Sequence, residues 1–198
     1  MLNKVSQQIA ELLCTNKDAS DTKEICSYGI ELALHTFLST AGLLIIGALM
    51  HHLLEAAVII SIYYANQTIG GGFHAKSHLM CFTVMAVVLV SCIVLINLPL
   101  PNYLVYSAAV TSCGYLWFHP VCLHRNKMYL LLRIRLLKTR SRVTILLLVM
   151  ASGILLVLAR GQAIRQCGCI SLVTSGISRA FGIAREKYSL HQQLHAPK

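Results

Sequence analysis

The chain has 198 residues, 56% of them hydrophobic and only 12% charged, with a mean hydropathy of +0.66 and a net charge of +10. A water-soluble domain carries about twice that charged fraction, so a soluble class is excluded and an integral membrane protein is indicated. The basic residues lie between apolar stretches, where they orient membrane segments, so nucleic acid is not an expected partner.

Taken in chain order, Leu2, Val5, Ile9, Leu12 and Leu13 recur at helical spacing, with Lys4, Gln7, Gln8 and Glu11 on the other face. This pattern predicts a short amphipathic helix lying on the membrane, or packed against a soluble partner. The first thirty residues lack an apolar run and carry Glu11, Asp18, Asp21, Lys23 and Glu24, so no cleavable secretory signal is expected. Asp21 with Glu24 resembles a capping box and predicts the start of the next helix. Apolar windows follow at 31–50, 53–69, 79–98, 103–118 and 143–159, each near the ~20 residues that cross a bilayer. A sixth, 164–183, contains Arg165, Gln166, Arg179 and several glycines. Three placements are open for it: spanning, interfacial, or packed inside the bundle. The expected fold is all-α, a polytopic transmembrane helical bundle of about six spans with an N-terminal amphipathic interfacial helix. It forms one integral membrane domain over 1–198, with a chemistry-bearing link at 66–81 and a basic link at 119–142.

Orientation follows from lysine and arginine. The amino-terminal segment has Lys4, Lys17 and Lys23, and the basic link has Arg125, Lys127, Arg133, Arg135, Lys138, Arg140 and Arg142. The links at 51–52 and 98–102 have none. The positive-inside rule then predicts a multi-pass protein of the cell membrane with the amino terminus and the 66–81 link in the cytoplasm. Arg185, Lys187 and Lys198 also return inside, and only Arg160 and Arg165 fall on the other side.

The cysteines Cys14, Cys26, Cys81, Cys92, Cys113 and Cys122 are scattered, and Cys167 and Cys169 sit too close for the usual zinc pairing. No metal and no cofactor are expected, and most of these thiols read as small apolar fillers. Cys81 is the exception. The link before it runs Asn66-Gln67-Thr68-Ile69-Gly70-Gly71-Gly72-Phe73-His74-Ala75-Lys76-Ser77-His78. A thiol beside an imidazole is the nucleophile–base pair of thiol proteases, and the glycines allow a tight turn. On one straight helix His74 and Cys81 would stand ~10 Å apart along the axis. A general base works at about 3 Å, so the helix must break between them. His78, three residues from Cys81, is by spacing alone the equal or better base. The i,i+4 pair His74 and His78 lacks the glutamate of HExxH, which argues against zinc proteolysis.

The string Gly71-Gly72-Phe73-His74-Ala75, followed by Cys81, resembles the Gly-Gly-x-His-Ala…Cys signature of the accessory gene regulator B (AgrB) family. Phe118-His119-Pro120-Val121 through Asn126-Lys127 is similar to that family's Ala-Pro-Val…Asn-Lys segment. The resemblance implies His74 as base and Cys81 as nucleophile, with Gly71 and Gly72 shaping the turn and His78 left as a supporting contact. Family members often carry an arginine seven residues before the histidine, where this chain has the uncharged Gln67. The implied function is a membrane cysteine endopeptidase. It cleaves the tail of a small precursor peptide and closes a thiolactone or lactone, giving a quorum-sensing signal. Homodimerisation is also implied by the resemblance. Arg133, Lys138 and Arg142 could dock an acidic precursor tail, or simply meet anionic lipid of the bilayer. The alternative from another class is a non-enzymatic peptide exporter or membrane interaction subunit.

Overall fold

The computed structural model describes residues 20–71, 77–122, 131–158 and 162–194. They form six helices: α1 (Ser20–Leu49), α2 (Leu53–Gly70), α3 (His78–Asn97), α4 (Asn102–Phe118), α5 (Leu131–Leu158) and α6 (Gln162–Leu194). There is no strand among the described residues. The amphipathic helix expected over the first residues lies outside them. Two helices reach further than the apolar windows. α1 begins near the Asp21–Glu24 capping sequence, and α5 begins within the basic link. In that early stretch of α5 Ile134 and Leu137 are half-buried while Arg135, Lys138 and Arg140 are exposed, so an amphipathic pattern continues into the apolar span.

Four helices contain stretches long and apolar enough to cross a membrane, at 26–49, 79–97, 134–158 and 163–188. α2 and α4 are shorter, at 18 and 17 residues. The distribution of polarity is that of a protein in lipid. Phe37, Leu49, Val110, Leu147 and Val157 turn outward, whereas Asn66, Gln166, Ser171, Ser175 and Arg179 are buried. An apolar exterior around a polar interior is stable where the surroundings are hydrocarbon. The chain is an all-helical membrane bundle.

Its centre is α6, which packs against α2, α3, α4 and α5, while α1 lies at the edge against α2 and α3. Cys167, Ser171, Ser175 and Arg179 recur every fourth residue and are all buried, forming one stripe of α6. The weak hydropathy of this segment thus comes from an inward polar face: it packs inside the bundle and is still long and apolar enough to cross a membrane. Hydrogen bonds hold both ends. At one end Asn97 Nδ2 meets His52 Nε2 at 3.0 Å, and Gln166 Nε2 donates to Asn102 Oδ1 at 3.0 Å. Between the ends, small residues let backbones approach, as is usual between helices in lipid. Ser112 Oγ donates to Leu172 O at 2.8 Å.

Gly168 marks a close α5–α6 approach, because a Cβ there would lie 2.7 Å from Ser152 Oγ and 3.1 Å from Ser152 Cα. Gly168→Ala should therefore destabilise the detergent-solubilised protein by roughly 1–3 kcal/mol, read as a lower thermal midpoint. Gly114→Ala, which meets nothing within 4 Å, should leave the midpoint unchanged or raised.

Candidate active site

At the other end of the bundle, the last turn of α2, the segment after α4, and Ser141 and Arg179 of α5 and α6 converge. α2 stops at Gly70 because Gly71 takes φ +69° and ψ −179°, a region that is essentially glycine's alone. Gly71 N–H still donates to Gln67 O at 3.0 Å, and Cys122 N–H donates to Gly70 O at 2.8 Å. That second bond joins the exit of α2 to the His119–Cys122 segment. A Cβ at Gly71 would lie 3.2 Å from Cys122 O, so both conformation and space demand glycine.

The side chain that binds these parts together is Arg179, which is 1% exposed. Its Nη1 donates to Pro120 O at 2.8 Å and to His119 O at 3.4 Å, with Ser141 Oγ at 3.5 Å. Its Nη2 donates to Asn66 O at 3.1 Å and to Asn66 Oδ1. Ser141 Oγ also donates to Pro120 O, so both lone pairs of that carbonyl are used. Arg179 fills the place a Gly70 side chain would take, since a Cβ at Gly70 would overlap the guanidinium. Two of the three consecutive glycines therefore have separate structural reasons.

Cys81 lies in the first turn of α3, half-buried and with a free thiol. Its N–H donates to Ser77 O at 3.0 Å, and Ser77 Oγ caps the helix by accepting from Met80 N–H at 3.3 Å. Ser77 is extended, so α3 starts only at His78 and the helix excludes His74, as the reach of a general base requires. His74 and Gly72 lie outside the described residues, as does the side chain of His78. The α2 phenols Tyr63 and Tyr64 are within electrostatic reach of Cys81.

Gln67, which stands where the resembling family often has arginine, faces α6. Its Nε2 donates to Ser178 Oγ and to Tyr63 Oη, each at 3.4 Å, and Tyr63 Oη meets Ser178 Oγ at 2.9 Å. Lys138 and Arg142 are exposed on α5, and Arg142 sits over the Trp117 ring at 5.4 Å from its centroid. The side chain of Arg133 lies outside the described residues. No group of three or more His, Cys, Asp or Glu side chains that could hold a metal occurs among the described residues.

Sequence reasoning did not identify Arg179, Asn66 or Ser141 as parts of this end of the bundle. The every-fourth-residue polar stripe ending at Arg179 was the available signal. It also left Cys122 as a filler, whereas this thiol packs directly behind the Gly70–Gly71 turn. Burial pushes the Cys122 thiol up, Glu186 pushes it further, and Arg179 opposes both. Because Gly71 occupies a glycine-only region, Gly71→Ala should cost about 1–3 kcal/mol, seen as a lower unfolding midpoint. Gly71→Asn, which relieves an ordinary left-handed helical site, should give no rescue.

The family model described as Accessory gene regulator B matches residues 6–179. No curated protein and no solved structure matches the chain significantly. The matched stretch covers most of the chain and ends on the arginine that closes the site. The chain belongs to the accessory gene regulator B family, membrane proteins of quorum-sensing peptide processing.

Proposed function

We propose that the protein is a cysteine endopeptidase that cleaves a small precursor peptide at the membrane, with Cys81 as nucleophile and His74 as general base. The observation that carries this reading is the half-buried free thiol of Cys81 in a capped first helical turn. It follows the Gly71-Gly72-Phe73-His74 sequence of a chain of this family. In the reaction His74 takes the Cys81 thiol proton as Sγ bonds to the scissile carbonyl carbon. The tetrahedral adduct collapses, the C–N bond breaks, and the proton passes from His74 to the departing amine. The carboxy-terminal tail leaves, and an acyl-thioester remains on Cys81.

A thiol or hydroxyl within the retained peptide then attacks that thioester and releases the Cys81 thiol. The product is a thiolactone or lactone with one water fewer than the hydrolysed peptide. Ring closure requires that water be kept from the thioester, and a short turn at a lipid boundary serves that end. Gly71 and Gly72 shape this turn, His78 flanks it, and Gln67 supports it from α2 through Ser178.

The site faces the cytoplasm under the positive-inside rule, with the exposed cations of α5 on the same side. Arg133, Lys138 and Arg142 would draw an acidic tail toward it. The contact of Arg142 with Trp117 leaves Lys138 as the freer of the two described cations.

The test is mass spectrometry of a precursor encoded beside this gene, co-expressed with the native protein or with Cys81→Ala or His74→Ala. Cleavage by the native protein alone, with loss of one further water, is the expected result. Cleavage without that loss would remove the cyclisation, and equal cleavage by Cys81→Ala would remove the nucleophile. An intact precursor with all three proteins, while a homologous precursor is also left whole, would favour an exporter or interaction subunit.

A further inference from the structure

Arg179 belongs to no recognised motif of the chain, yet it is the largest fully buried side chain of the bundle. Each acceptor it meets among the described residues is neutral: carbonyls of Asn66, His119 and Pro120, the Asn66 amide oxygen, and the Ser141 hydroxyl. A general packing role would be filled better by an apolar residue, since burying a cation costs several kcal/mol before any partner is counted. The fork geometry explains the choice. One guanidinium nitrogen reaches the segment after α4 and the other reaches the last turn of α2, which a single ammonium could not do. The two segments so joined are those that meet through the Cys122–Gly70 backbone bond. Gly71, the next residue, starts the link that carries His74 to Cys81.

We propose that Arg179 is a positioning residue for the proposed thiol–imidazole pair: by clamping Asn66 to Pro120 it holds the exit of α2, after which the chain runs through His74 to Cys81, against the segment after α4. It touches neither Cys81 nor substrate. Its effect runs through Gly70, whose lack of a side chain makes room for the guanidinium, and through Gly71, whose conformation sets the direction of exit. This rests on the assignment of His74 and Cys81, and the test below separates the two.

The cysteines of the chain supply the readout. Cys92 and Cys167 are 0% exposed in the mid-bundle core and report on the fold as a whole. Cys122, behind the turn, reports on the clamp, and Cys81 reports on the pair. The full-length protein in detergent is treated with iodoacetamide at pH 7, and alkylation at each cysteine is followed by peptide mass spectrometry. His74→Ala should slow alkylation of Cys81 about tenfold, because the thiolate loses its imidazole partner. Arg179→Gln should slow it by a similar factor, and the double variant should be no slower than either, the signature of one shared interaction. In Arg179→Gln, Cys122 should become reactive while Cys92 and Cys167 stay protected. Arg179→Lys, which keeps the charge without the fork, should behave as Arg179→Gln does.

A native rate at Cys81 in Arg179→Gln, with His74→Ala slowed, would overturn the clamp and leave the catalytic pair intact. Reactive Cys92 and Cys167 in Arg179→Gln would make the residue a determinant of the whole fold and would equally overturn it. A native rate in Arg179→Lys would show that charge rather than bridging matters. A native rate in His74→Ala would dismiss the pair itself, and this proposal with it.

Discussion

A guanidinium buried at the end of a membrane bundle must find its hydrogen-bond acceptors within the protein, because lipid supplies none. Arg179 finds them in segments far apart in sequence: Asn66 at the end of α2, His119 and Pro120 after α4, and Ser141 on α5. Hydrogen bonds to a charged group contribute about 1.5–3 kcal/mol each, against a desolvation penalty of several kcal/mol for the ion. With its Nη1 and Nη2 bonds in place the cation is tolerated, and with some lost it is not. The burial of one charge therefore holds α2, α5, α6 and the segment after α4 in a single arrangement.

The rest of the site depends on that arrangement. Helix ends leave unpaired carbonyls, and the end of α2 is closed by Arg179 at Asn66 and by Cys122 at Gly70. At that end Gly70 gives its volume to the guanidinium and Gly71 takes a conformation no other residue holds cheaply. Cys81 is held from the other side by the Ser77 cap, four residues before the thiol, after which α3 starts at His78. Gln67, bonded to Ser178 beside Arg179, adds a second tie between α2 and α6 at the same level.

Much of this was legible in the sequence, for definite physical reasons. Hydropathy marked all six helices, because a lipid-facing exterior needs long apolar runs, and the helix boundary between His74 and Cys81 followed from the reach of a general base. The early start of α5 was not legible as part of a span, since its exposed cations Arg135, Lys138 and Arg140 lower the apparent hydropathy of a continuous helix. α6 was left with three open placements for the converse reason. Arg165, Gln166 and Arg179 made it look like a poor span, whereas Gln166 and Arg179 face the bundle interior, where Gln166 Nε2 and the Arg179 terminal nitrogens meet acceptors rather than lipid. Pairing of Arg179 with Asn66 and Pro120 joins residues more than fifty positions apart, and no local pattern encodes it.

The proposed pairing of His74 with Cys81 requires the two residues to meet across the link that starts at Gly71. A disulfide forms only where the Cα atoms of two cysteines come within about 7 Å, so it is a direct ruler for that meeting. The decisive measurement is oxidation of a His74→Cys protein whose remaining native cysteines other than Cys81 are replaced by alanine or serine. Rapid cross-linking of residue 74 to Cys81 in membranes is the expected result. Absence of the cross-link, while both thiols still react singly with an alkylator, would contradict the pairing.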